Sequence, residues 1–138
     1  MIARAQNTLD ELTDYVLRPP CAGADCVKHM YREGNTYADK LSWEARGAYT
    51  SKKRENYSIL HNNKIMGLRG FFDGGVSQEG SGGGWWLQAL SEHHSEIIAE
   101  EAFGLHDDCT VTECECEAAC RLVEALRVVA DHIAVSAW

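Results

Sequence analysis

Six cysteines, two histidine-bearing clusters and one short basic run are the residues whose types and spacing could do chemistry. The cysteines are Cys21, Cys26, Cys109, Cys114, Cys116 and Cys120, at C-x4-C, C-x-C and C-x3-C intervals. Structural zinc sites favour paired C-x2-C spacing, so small buried apolar side chains are the expected use of most of them. Cys116 and Cys120, one helical turn apart, are the pair that could share a zinc ion with Cys21 or Cys26. His93-His94 and His106-Asp107-Asp108 contain metal-binding residue types, but in polar surroundings they read as surface loops. Lys52-Lys53-Arg54 is a candidate contact for a phosphate backbone. Gly82-Gly83-Gly84 reads as a tight turn whose backbone N–H groups could approach a phosphate.

Three acids have ordinary local explanations. Asp73 precedes Gly74-Gly75 and fits a turn. Thr112-x-x-Glu115 has the form of a capping box, in which Glu115 would answer the backbone of the first helical turn. Asp39 falls in a first helical turn, where the helix dipole favours a negative charge.

The elements that must position these residues come from one domain. The chain has 138 residues with 45% hydrophobic and 25% charged composition, which is a globular average and excludes disorder and fibrous repeats. No stretch approaches the ~18–20 apolar residues of a membrane span. The N-terminus lacks the apolar core of a secretory signal, and without a secreted context the even cysteine count does not imply disulfides. A cytoplasmic or nuclear location is expected. The net charge is -8, but residues 46–69 hold six basic side chains against the single acid Glu55, so this segment carries +5 and the remainder -13. A general affinity for nucleic acid over the whole surface is therefore not expected, and an anionic ligand would meet this segment first.

Helical spacing of Ile2, Ala5, Leu9, Leu12 and Val16 predicts a helix over 2–17, stopped by Pro19-Pro20. Residues 26–31 read as a strand. Asn35 is placed to cap a second helix with Ala38, Leu41 and Ala45 on one face and Gly47 at its end. Residues 48–64 are polar and lack a period, which predicts a linker. Strands are expected at 67–73, from Trp85 to Leu90 and at 97–103, with 74–84 as a glycine-rich turn and with Trp85 and Trp86 on opposite faces. The longest helix opens near Thr112 and buries Cys116, Ala119, Val123, Leu126 and Ala130. Residues 133–138 read as a closing strand.

Two segments together resemble the ribonuclease H family. Phe72-Asp73-Gly74-Gly75-Val76-Ser77-Gln78-Glu79-Gly80-Ser81-Gly82-Gly83-Gly84-Trp85 resembles that family's first hairpin. Thr110-x-x-Glu113-Cys114-Glu115-Cys116-Glu117-Ala118 is similar to the start of its glutamate-bearing helix, T-N-N-x-A-E-Y-x-A. Residues 27–41, from Val27-Lys28-His29-Met30-Tyr31-Arg32-Glu33 through Asn35 and Ala38-Asp39 to Leu41, resemble its last strand and helix, V-x-H-V-x-R-E-x-N-x-x-A-D-x-L. The segment that closes the family's domain comes first here, which implies a circular permutation joined by residues 48–64. The rival is an excerpt across two tandem domains that folds as a dimer by segment exchange.

The resemblance implies an α/β (α+β) fold with a five-stranded mixed sheet in the order 3-2-1-4-5, flanked by helices. It implies hydrolysis of the RNA strand of RNA–DNA hybrids with two Mg²⁺ or Mn²⁺ ions, which need oxygen ligands. The matching carboxylates are Asp73, Glu115 and Asp39, and Gly74, Gly75, Lys52, Lys53 and Arg54 would contact nucleic acid. The family's fourth acid, in a Gly-Asp-Ser after the fourth strand, has no counterpart before Trp138. Its absence would weaken metal binding, so a catalytically inactive binding or assembly module is the alternative.

Overall fold

Alternating apolar residues between Ile65 and Leu105 build the sheet that carries everything else. The computed structural model describes residues 35–106 and 108–137; the expected helix over 2–17, the strand over 26–31, Cys21 and Cys26 lie outside them. The elements run α1 (Thr36–Glu44), β1 (Ser51–Glu55), α2 (Ser58–Asn62), β2 (Ile65–Ser77), β3 (Gly80–Ser91), β4 (Ser95–Leu105) and α3 (Val111–Ala137). The four strands form one antiparallel sheet in the order β1-β4-β3-β2. The fold is thus mixed α+β, with a four-stranded antiparallel sheet among the described residues where the resemblance implied five mixed strands. No helix among the described residues is long and apolar enough to cross a membrane.

The sheet buries both faces. On one, Trp85, Leu87, Ala89 and Phe103 pack with Ala118, Leu122, Ala125 and Val129 of α3. On the other, Leu41 of α1 and Ala45 just after it meet Ala102, with Tyr37 and Trp86 against them. Trp85 and Trp86 therefore do face opposite ways, as strand alternation requires. Trp85 is 1% exposed and donates its indole N–H to Glu101 Oε1 at 2.8 Å. Trp86 stacks on Phe71 with ring centroids 4.5 Å apart.

Three expectations fail for physical reasons, and a fourth holds only in part. Residues 74–84 are mostly strand: β2 continues to Ser77, and β3 begins at Gly80 after a two-residue connection. The glycines are central because neighbours come too close for a side chain. A Cβ on Gly83 would lie 2.4 Å from the Phe103 ring, and one on Gly84 would lie 2.4 Å from Leu41 Cβ and 2.7 Å from the Ser42 backbone nitrogen. The supposed linker holds strand β1 and helix α2. All five β1 residues are exposed, so no alternation marks it; pairing of Lys53 with Glu101 and Arg54 with Glu100 across the ladder holds it at the sheet edge. Residues 133–137 extend α3 instead of forming a strand, because no Gly or Pro breaks the helix and Ile133 packs on the same core as Leu122 and Val129. The expected buried stripe of α3 holds in part: Val123 and Ala130 are buried, but Cys116, Ala119 and Leu126 are only partly covered, and Cys114, Ala118, Leu122, Ala125 and Val129 complete the buried face.

Adjacent Glu100 and Glu101 are both buried, on opposite faces, and each is answered by cations and donors. Arg54 and the Tyr37 hydroxyl bond Glu100. Arg121 reaches Glu101 at 2.8 Å and Glu117 at 3.0 Å, with its guanidinium over the Phe103 ring, and the Ser51 hydroxyl also bonds Glu101. Removing a partner from a buried ion pair leaves a desolvated charge. Arg121→Met is expected to lower stability by about 2–4 kcal/mol, seen as an earlier urea midpoint with an unchanged slope.

Candidate active site

Asp73 lies on the α1 face of β2, because Phe72 beside it packs into the α3-side core and the strand alternates. Its partner across the ladder is Gly84, the residue on which α1 rests, so the register of β2 on β3 carries Asp73 to the start of α1. Asp39 stands in the first turn of that helix, its backbone N–H bonded to the Asn35 carbonyl at 3.1 Å. Gly47, at φ +77°, turns the chain out after the helix as expected. Asn35 occupies the N-cap position but does not use its side chain there; Nδ2 donates to the Phe72 carbonyl at 2.7 Å, tying the head of α1 to β2.

Glu115 is brought in by the other helix. The capping box lies two residues earlier than Thr112-x-x-Glu115: Thr110 Oγ1 accepts from the Glu113 N–H at 3.1 Å, and Glu113 Oε1 accepts from the Thr110 N–H at 3.2 Å. That shift frees Glu115 from capping. Gly74 lets the first turn of α3 approach β2, since a Cβ there would fall 2.4 Å from the Cys114 carbonyl carbon and 2.6 Å from the Glu115 nitrogen.

Asp39, Asp73 and Glu115, from three separate stretches of chain, line one cleft of about 360 Å³ with Asn35, Trp43, Arg46, Gly74 and Gly75. Burial pushes the Asp73 carboxyl up to about 6. A hydrogen bond with Asp39 and the negative charges of Asp39 and Glu115 act in the same direction, against a bond from the Gly74 backbone that favours the anion. Asn35 Oδ1 is buried with no hydrogen-bond partner. The polar set is thus oxygen-rich and, with three carboxyls against the one guanidinium of Arg46, net negative, which suits a hard divalent cation. Among the described residues, no group of three His, Cys, Asp or Glu side chains is set to hold a metal ion as it stands; Asp39 and Asp73 bond each other instead.

The other candidates fall elsewhere. Lys52, Lys53 and Arg54 lie on β1, at the sheet edge opposite β2, three strand spacings or roughly 14 Å from the strand that carries Asp73. Lys53 pairs with Glu55 at 3.0 Å and Arg54 with Glu100. His93 and His94 occupy the β3–β4 connection, and His106 follows β4. Cys114 and Cys120 are buried, and Cys109 and Cys116 partly so. A second cavity, about 460 Å³, lies beside Arg121 and Glu101, whose charges already answer each other. Sequence reasoning gave Asn35 a capping use and a place in the motif resemblance, counted Arg46 only among the basic residues of 46–69, and overlooked Trp43, whose position four residues after Asp39 on the same helix was the available signal. In comparisons with known families, curated proteins and solved structures, nothing matches the chain.

Proposed function

We propose that this chain is a ribonuclease H-like domain with its motifs in permuted order, which hydrolyses the RNA strand of RNA–DNA hybrids with divalent metal. The observation that carries the reading is the meeting of Asp73, Asp39 and Glu115 in one cleft. Three antiparallel strands followed by a helix bearing Glu115, with Asp39 on a helix against the opposite sheet face, support it further.

Asp73, Asp39 and Glu115, with Asn35 Oδ1 beside them, would hold Mg²⁺ or Mn²⁺. Bound there, the ion would supply Lewis-acid stabilisation of charge on the phosphoryl oxygens and on an attacking water. The protein's own part is positional. Gly84 and Gly74 seat the two helices, Asn35 anchors α1 to β2, and a cation held there would favour the ionised form of Asp73, opposing the burial and neighbouring negative charge that raise its pKa.

Cleavage of an end-labelled RNA–DNA hybrid is expected with Mg²⁺, with none in EDTA and none from Asp39→Asn. Absence of cleavage together with absence of any Mg²⁺-dependent rise in melting temperature would refute the enzyme reading. The exposed Trp43 ring over Arg46 in the same cleft favours one second reading, a nucleic-acid-binding module without catalysis. That reading requires hybrid binding that weakens steeply with salt and persists unchanged in Asp39→Asn.

A further inference from the structure

Helix α1 continues past Asp39 along the cleft to Glu44, and Trp43, one turn on, and Arg46, just beyond the helix end, differ in kind from the acids. Trp43 is a cleft-lining residue yet 50% exposed, unusual for the largest apolar side chain. Arg46 Cζ sits 3.8 Å from the centroid of its ring. The guanidinium is on the protein side of the indole: Nη2 donates to the buried Ser42 hydroxyl at 3.0 Å, Nε is buried without a partner, and a Cβ on Gly75 would lie 2.4 Å from Nη2. The indole is therefore held flat against the protein by a cation on its inner side, with area left open to solvent beside the carboxylates.

Such a surface suits one kind of ligand. A rigid aromatic plane offers a nucleobase a stacking partner whatever its identity, and the arginine behind it adds a cation–π layer and positive charge next to the acids. The position of Trp43 one turn, ~6 Å, along the helix from Asp39 sets that base next to the reacting position. We infer that Trp43, backed by Arg46, is a stacking platform for an unpaired base adjacent to the scissile phosphate. The site then prefers hybrids with a frayed or single-stranded segment over fully paired ones. This inference rests on the proposed hydrolase reading and narrows its substrate class.

The test uses the full chain carrying Asp73→Asn, so that the strand stays intact, and two labelled probes: a blunt RNA–DNA hybrid and one with a single-stranded RNA extension. Binding of the extended probe is expected to quench tryptophan emission and to be about tenfold tighter than that of the blunt one. Trp43→Ala in the same background should erase that tenfold preference and the quenching. Trp43→Tyr, which keeps a stacking ring, should retain the preference, separating stacking from loss of fold. Equal binding of the two probes, or a preference that survives Trp43→Ala, overturns the inference while leaving the hydrolase reading standing. Cleavage of neither probe by the chain without Asp73→Asn, with no binding of either, overturns both.

Discussion

Asp73→Asn is expected to make the protein more stable and inactive at once. The Asp73 carboxyl titrates at about 6 in the fold, against about 3.9 in an unfolded chain. The native state thus binds the proton more tightly, and the stability this contributes is fully present below pH ~4 and lost as pH rises through ~6. Above that, the folded protein carries a carboxylate that burial and its neighbours disfavour. Discounted for solvent, since the group is only half-buried, the penalty is on the order of 1–2 kcal/mol. The neutral amide escapes it. At pH 8 the variant should melt a few degrees higher than the parent, and the gap should close toward pH 4. Hybrid cleavage should fall by about 10³-fold, the scale of the several kcal/mol that a Lewis-acid centre contributes. Mg²⁺ should raise the melting temperature of the parent and leave that of the variant unmoved. A variant less stable than the parent at pH 8 would mean that the repulsion described for Asp73 is wrong.

Gly74→Ala should act on the same site from behind. The added methyl would fall on backbone atoms of Cys114 and Glu115, which have no rotamer to adopt, so the first turn of α3 must lift away from β2. Overpacking of this kind costs about 1–3 kcal/mol, and displacement of Glu115 by ~1 Å is enough for a loss of about 10²-fold in turnover. Gly67→Ala is the control, because its nearest neighbour would be Leu90 Cδ1 at 3.8 Å, an ordinary contact. Urea titration and cleavage rates of the two variants side by side give the comparison; equal behaviour would remove the role given to Gly74.

What could be read from the sequence divides along physical lines. Helix α1, the three long strands and the opposed Trp85 and Trp86 follow from local spacing, which records burial directly. Strand β1 does not, because its residues are all exposed and its reason for existing lies on β4, in Glu100 and Glu101. The glycine run was misread for the opposite reason: glycine marks both turns and close backbone approach, and only the tertiary neighbours separate the two. Ile133 and Val135 suggested a strand by type, whereas the uninterrupted helix before them decided their conformation. For the site, no local feature distinguished Asp73, Asp39 or Glu115 from a turn residue, a first-turn acid and a cap. Only the motif resemblance singled them out, and the tertiary contacts through Gly74 and Gly84 are what bring them together.

Beneath the paired Asp73 and Asp39 lies a residue without a side chain. Gly84 pairs with Asp73 across the ladder, and a Cβ on it would fall on Leu41 Cβ, the Ser42 nitrogen and the Ala38 carbonyl oxygen of α1, so the close approach of strand and helix here, together with the Asn35 bond to Phe72, sets the separation of the two acids. A chain that kept both aspartates but enlarged residue 84 would retain every acid of the site and lose the spacing between them.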